Sequence, residues 1–183
     1  MSQYTHIFLE KQHTFIEVSC TGRSCALSEM FSDYAPWEKI REVTYDDLQH
    51  IYSQYHEELT NWRQHQKELE ERIKVIATFN NTIDEKLDAW RDIDESIDET
   101  KETIDELESA LNTVMLLKDV LYESQINSKY ENSALVHVYA GTECGSDVTI
   151  KDIEGYTEMD LKPVDADVNM FDGDQCWDQA TKV

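Results

Sequence analysis

The sequence predicts an α+β protein. A small antiparallel β head, made of an N-terminal hairpin and a returning C-terminal strand, carries a long antiparallel two-helix coiled-coil arm, with an acidic, poorly ordered tail behind it. Three observations predict this. Short stretches on either side of the arm alternate apolar and polar residues. Two long stretches after residue 44 repeat apolar residues at intervals of three and four. Five glycines and two prolines in 183 residues are too few for a turn-rich all-β chain. The expected division is 1–43 for the β region of the head, 44–124 for the helical hairpin, 125–155 for the returning strand or strands and 156–183 for the tail.

Within the head, "YTHIFLE" and "TFIEVSC" place Ile7, Leu9, Ile16 and Val18 on core faces, and the intervening "KQH" suits a hairpin turn. "SCALSEMF" reads as a short helix, and Pro36 separates it from "WEKIREV", a further strand. Thr44 with Asp47 resembles a capping box, Asp standing in for the usual Glu or Gln. The period then changes. Leu48, Tyr52, Tyr55, Leu59, Trp62, Gln66, Leu69, Ile73 and Ile76 alternate steps of four and three, a coiled-coil seam with one polar member. "FNNT" supplies a link and a second cap candidate, Thr82 with Glu85. A second seam follows through Trp90, Ile93, Ile97, Thr100, Ile104, Leu107, Leu111 and Val114.

Two amphipathic helices around a short polar link predict a hairpin. Folding it about Asn80 sets Ile76 against Ile83, Leu69 against Trp90, Gln66 against Ile93 and Trp62 against Ile97. The arm is then about 50 Å long, at ~1.5 Å per residue. Tyr52, Tyr55, Trp62 and Trp90 read as packing residues of the seam. Beyond it, Val114, Met115, Leu116, Leu117, Val120 and Leu121 cover most of the helix circumference, so this end is expected inside the head, beside the returning strand "SALVHVYA". "VTIKDI" is expected as an edge strand. Residues 141–183 hold eleven acidic and three basic residues, a composition that favours a tail over a packed element.

Composition narrows function. With 39 Asp and Glu against 16 Lys and Arg the net charge is −23, which repels nucleic acid and anionic membranes and attracts a basic protein surface. No run of ~18 apolar residues and no signal-peptide pattern is present, so a cytoplasmic protein with reduced thiols is expected.

Enzyme motifs are absent or broken. There is no phosphate-binding glycine loop. "GRSCA" at Gly22 carries Ala26 where a nucleophile elbow ends in glycine, and "HEELT" at His56 carries Thr60 where a zincin has its second histidine. In "DADVNMFDGD", Asp165, Asp167 and Asn169 fall where a calcium loop has ligands, but Met170 stands where it needs glycine. Cys20 and Cys25 could meet Cys144 or His137 if the first and last strands pair, a generic spacing for zinc. No catalytic, cofactor-binding or metal residue is assigned.

What remains is charge. Residues 84–108 hold twelve acidic and three basic residues, net −9. Like charges recur four apart along the stretch, a repulsion that most surface helices avoid by interspersing Lys or Arg. Asp84, Asp88, Asp92, Asp94, Glu95, Asp98, Glu99, Glu102, Asp105 and Glu106 are therefore the candidate partner-binding residues. Small, highly acidic chains without enzyme motifs resemble, in general character, phage-encoded inhibitors of host defence nucleases. That resemblance implies a non-enzymatic nucleic-acid mimic that inhibits a nucleic-acid-handling enzyme by occupying its basic surface. The alternative is a coiled-coil adaptor that uses the arm as a spacer or to form a homodimer.

Overall fold

The structure, a computed structural model, describes residues 3–150, 159–161 and 181–182, apart from 13, 23, 36, 38, 39, 77, 79–81, 132 and 145–147. The fold is α+β. In chain order its elements are β1 (Gln3–Lys11), β2 (Thr14–Gly22), α1 (Ala26–Met30), β3 (Ile40–Val43), α2 (Tyr45–Ile76), α3 (Ile83–Glu131), β4 (Val136–Cys144), β5 (Val148–Ile150), β6 (Met159–Leu161) and β7 (Thr181–Lys182). The main sheet has the order β3-β4-β1-β2-β7, and its strand pairs are antiparallel.

β1 is the central strand. It pairs with β2 across the expected hairpin, where Gln12 takes φ 51° at the turn, and with β4 along its whole length. A register shift between Ile7 and Phe8 makes Val18 an extra residue of β2, a β-bulge of the kind that adds local twist. One face of the sheet carries Ile7, Leu9, Val43, Val138 and Ala140 into the core. Leu27, Met30 and Phe31 cover it together with Leu48 and Ile51 of α2 and Leu111, Val114, Leu117 and Leu121 of α3. Each such side chain withdrawn from water contributes roughly 1.5–3 kcal/mol before entropy is counted. The other face of β1 is buried too, and it includes His6, Phe8 and Glu10.

Both long helices start as their capping residues require. Thr44 N donates to Asp47 Oδ2 at 2.9 Å and Asp47 N to Thr44 Oγ1 at 3.2 Å. Thr82 N donates to Glu85 Oε2 at 3.0 Å and Glu85 N to Thr82 Oγ1 at 3.4 Å. Neither helix contains proline or glycine. α2 has 32 residues and α3 has 49, about 48 and 74 Å of helix. α3 runs past residue 124 to Glu131, and the two helices pack together.

Four expectations need correction. The hairpin does not fold about Asn80 with the symmetric pairing. Arg63 Nη2 donates to Glu108 Oε1 at 2.6 Å, and Arg72 and Ile76 share a groove with Ala89 and Ile93. α3 is thus shifted against α2 by roughly one and a half to three turns, and Trp62 does not face Ile97 nor Leu69 Trp90. The first turns of α3 therefore escape the seam, and Trp90 is half-exposed. Met115 and Leu116 are exposed as well, so the inner part of α3 buries one broad face and not most of its circumference. β5 is no edge strand of the main sheet, because it pairs with β6 in a separate two-stranded sheet. The calcium-like stretch, residues 165–174, falls outside the described residues, and of the expected tail, 156–183, only β6 and β7 are described, paired with β5 and β2.

Candidate acidic interaction surface

Because α3 is unbroken, helical geometry fixes which carboxylates share a face. At about 100° per residue, Asp84, Asp88, Asp92, Glu95, Glu99, Glu102 and Glu106 fall on one ridge, in steps of 4-4-3-4-3-4. The buried seam of the same segment, Ile97, Thr100, Ile104 and Leu107, lies on the opposite side. Asp94, Asp98 and Asp105 form a second row along one flank of the ridge. All ten candidates belong to α3, and nine are exposed, Asp94 being half-buried. The ridge spans about 33 Å, one carboxylate per ~5 Å. Duplex DNA carries one charge per ~1.7 Å and a single strand one per ~3.4 Å, so the ridge is a sparser polyanion of comparable length scale.

Few of these charges are answered. Asp88 lies 3.9 Å from Arg91, and Lys101 Nζ donates to Asp98 at 3.2 Å, both exposed pairs of small energetic value. The other eight side chains have no ion-pair or hydrogen-bond partner among the described residues. α2 differs. Its Glu58, Glu68, Glu70 and Glu71 accept from Trp62, Gln64, Gln66 and Lys74, three or four residues away on the same helix. Gln66, the polar seam member, thus spends its amide on its own helix.

Elsewhere, the residues weighed for chemistry are held by packing. Tyr52, Tyr55 and Trp62 pack against the core, with the Lys118 ammonium 4.7 Å from the Tyr52 ring centre and the His56 ring stacked on Tyr52 at 5.6 Å. Burial first, then Glu29 and Glu58, push the Tyr55 phenol above its ordinary value. Cys25 Sγ bonds the Gly22 carbonyl at 3.1 Å. The first and last strands of the head, β1 and β4, do pair, but Cys20 belongs to β2. Cys20 stands opposite His6 and Cys144 opposite Gln3, so two strand spacings across the sheet, ~9–10 Å, and three residues along it, another ~10 Å, separate them. His137 is bound to Glu42 at 2.7 Å. Among the described residues no group of three or more His, Cys, Asp or Glu side chains is arranged to hold a metal, and no helix is long and apolar enough to cross a membrane.

Sequence reasoning missed two features. One is a buried polar pair, in which His6 Nδ1 donates to Glu17 Oε1 at 2.6 Å while His6 Nε2 has no hydrogen-bond partner and the ring stacks on Phe8. Alternation put Ile7 and Leu9 on the core face and made no assignment for His6. The other is the exposed apolar stripe that opens α3, Ile83, Leu87 and Trp90. Its four-then-three spacing was visible in the sequence, but Trp90 read as a seam member, Ile83 as the partner of Ile76, and Leu87 was not singled out. Comparison with known protein families, with curated proteins and with solved structures finds no match for this chain.

Proposed function

We propose that this is a non-enzymatic binding protein whose α3 ridge occupies a basic surface of a partner protein. The partner class that fits is a nucleic-acid-handling enzyme, whose cationic groove would meet a carboxylate row in place of phosphates. An inhibitor of this kind suits a phage-type counter-defence role. The observation that carries the reading is the contrast within the arm: five of the seven acids on α2 accept a hydrogen bond from a side chain three or four residues away, and most of those on the α3 ridge accept none. Like charges at this spacing cost a few tenths of a kcal/mol per pair. A helix that only needed solubility could remove that cost by interspersing lysine or glutamine, and on α2 Gln64, Gln66 and Lys74 answer Glu68, Glu70 and Glu71. The same charge argues against direct contact with nucleic acid or an anionic membrane.

A second reading, a coiled-coil adaptor or dimerisation element, draws on the apolar side chains exposed at the tip of the arm. Affinity capture from lysate on the immobilised full chain, eluted with a rising salt gradient, separates the two. The inhibitor reading expects basic proteins that leave as screening sets in, near the ~8–10 Å Debye length of physiological salt. It also expects the eluted partner to lose bound nucleic acid when the protein is added back. Captured proteins that resist salt and keep their nucleic acid would favour the adaptor.

A further inference from the structure

The carboxylate ridge of α3 does not stop at Glu106 in open solvent. Steps of three and four carry its line on to Ser109 and Thr113, where the helix enters the head. There it runs into an open groove of about 350 Å³ between α3, the start of α1 and the last residues of β2. β2 contributes Ser19 and Thr21, which stand opposite Ile7 and Thr5 on the side of the sheet that faces the helices. The hydroxyls gathered here are mostly unused. Thr21 Oγ1 is shielded from solvent and has no hydrogen-bond partner, and the Ser19 and Ser109 hydroxyls have none among the described residues. Thr113 is engaged, donating to the Ser109 carbonyl at 3.3 Å. A shielded polar atom without a partner is unfavourable, and one that persists points to a group that completes it.

The charges around the groove select a cation. Glu106 is the one charged side chain among the described residues that line it, and its carboxylate has no partner among them. Along the ridge, Glu102 precedes it by one turn and Asp105 stands beside it. The nearest lysines of α3 are on other sides of the helix and are engaged: Lys101 holds Asp98, and Lys118 lies over the Tyr45 and Tyr52 rings. Leu27 and Ala110, both buried, add an apolar wall. An aliphatic stem that ends in hydrogen-bond donors suits such a place, with the stem on the wall and the head among the oxygens. A guanidinium offers more N–H donors than an ammonium, in a rigid planar fork that reaches several acceptors at once. We propose that this groove receives an arginine side chain of a protein partner: Glu106 meets the guanidinium charge, and the Thr21 and Ser109 hydroxyls accept from its fork. This rests on the reading of the α3 ridge as a surface for basic proteins. It names the residue type that anchors the partner at the head end of the ridge.

The test uses the full chain and two labelled peptides of equal length and charge. One is built from lysine and glycine, and the other has its central lysine replaced by arginine. Binding is followed by fluorescence anisotropy. The native chain should bind the arginine peptide at least about fivefold more tightly than the lysine peptide. Thr21→Val keeps the side-chain shape and every charge of the ridge, so it should abolish that preference and leave lysine-peptide binding unchanged. Because it removes a shielded hydroxyl that has no partner, it should also raise the melting temperature. Ser109→Ala, at an exposed position, leaves the core untouched and should cut the preference at least about twofold. Equal binding of the two peptides by the native chain, or a preference that survives both variants, overturns the arginine site and leaves the ridge reading standing. A gain confined to the arginine peptide on Arg23→Ala also overturns it, because the groove then belongs to the chain's own arginine. Failure of the native chain to bind either peptide overturns both the site and the ridge reading.

Discussion

The two helices of the arm are built from the same seam pattern and treat their charges differently. Along α2 the carboxylates of Glu58, Glu68, Glu70 and Glu71 are each answered by a side chain one turn away, and its seam residues Leu48, Leu59, Leu69 and Ile76 are buried. The outer half of α3 leaves eight of the ten candidate carboxylates unpaired and opens with three apolar side chains in solvent. The same chain thus satisfies one helix locally and leaves the other unsatisfied. Unpaired charge and uncovered apolar surface on one element are what an element made for a partner would carry.

The largest expected effect tests the apolar half of this contrast. Leu59→Ala, in the covered seam, should cost about 2–4 kcal/mol of unfolding free energy by urea denaturation, and Leu87→Ala, on the exposed stripe, less than ~0.5 kcal/mol. Equal costs would mean that Leu87 is packed in the folded protein and that the helices do not differ as described.

The head supplies a buried polar pair for comparison. Glu17→Leu should cost about 2–3 kcal/mol, because it strands the His6 Nδ1–H in a buried site, and adding His6→Phe should restore most of the loss. If the double variant is as unstable as the single one, the pair is more than a local hydrogen bond.

A smaller effect comes from the α2 cap. Burial pushes the Asp47 carboxyl up, but the Thr44 amide and hydroxyl, with Arg41 and His50, outweigh it and hold Asp47 below the usual carboxylate range. A carboxyl depressed in the folded state stabilises at pH above its unfolded value and loses that contribution as pH falls through the folded one, here below about pH 4. Asp47→Ala should therefore cost about 1 kcal/mol at neutral pH and close to nothing in acid, as read from melting curves at the two pH values. A cost independent of pH would assign the loss to packing.

Much of this was legible in the sequence, and for identifiable reasons. The 3-4 period set out both helices, Thr44–Asp47 and Thr82–Glu85 marked their starts, and alternation found β1, β2 and β4. The register of the hairpin was not legible. Nothing local tells whether Ile83 and Trp90 belong to the seam or to a stripe beside it, and the symmetric fold point assumed the former. His6 and Glu17 were missed because alternation implies one buried face, and β1, paired on both edges, is buried on two. The candidate carboxylates could be named one by one. Their ridge emerged only once α3 proved continuous, and their lack of partners only once α2 could be set beside them.

The smallest effect on the fold accompanies the most direct test of the central claim. Replacing Asp92, Glu95, Glu99 and Glu102 by Asn or Gln removes like-charge pairs and should raise the melting temperature by about 2–4 °C. The decisive measurement is the association rate of this variant and of the native chain with a captured basic partner, followed from low to physiological salt. The native rate should be fast and fall steeply with salt, and the variant rate should be slower and nearly flat, because steering by the ridge acts on the encounter. Identical rates and identical salt dependence in the two proteins would contradict the account and reduce the ridge to a solvated helix face.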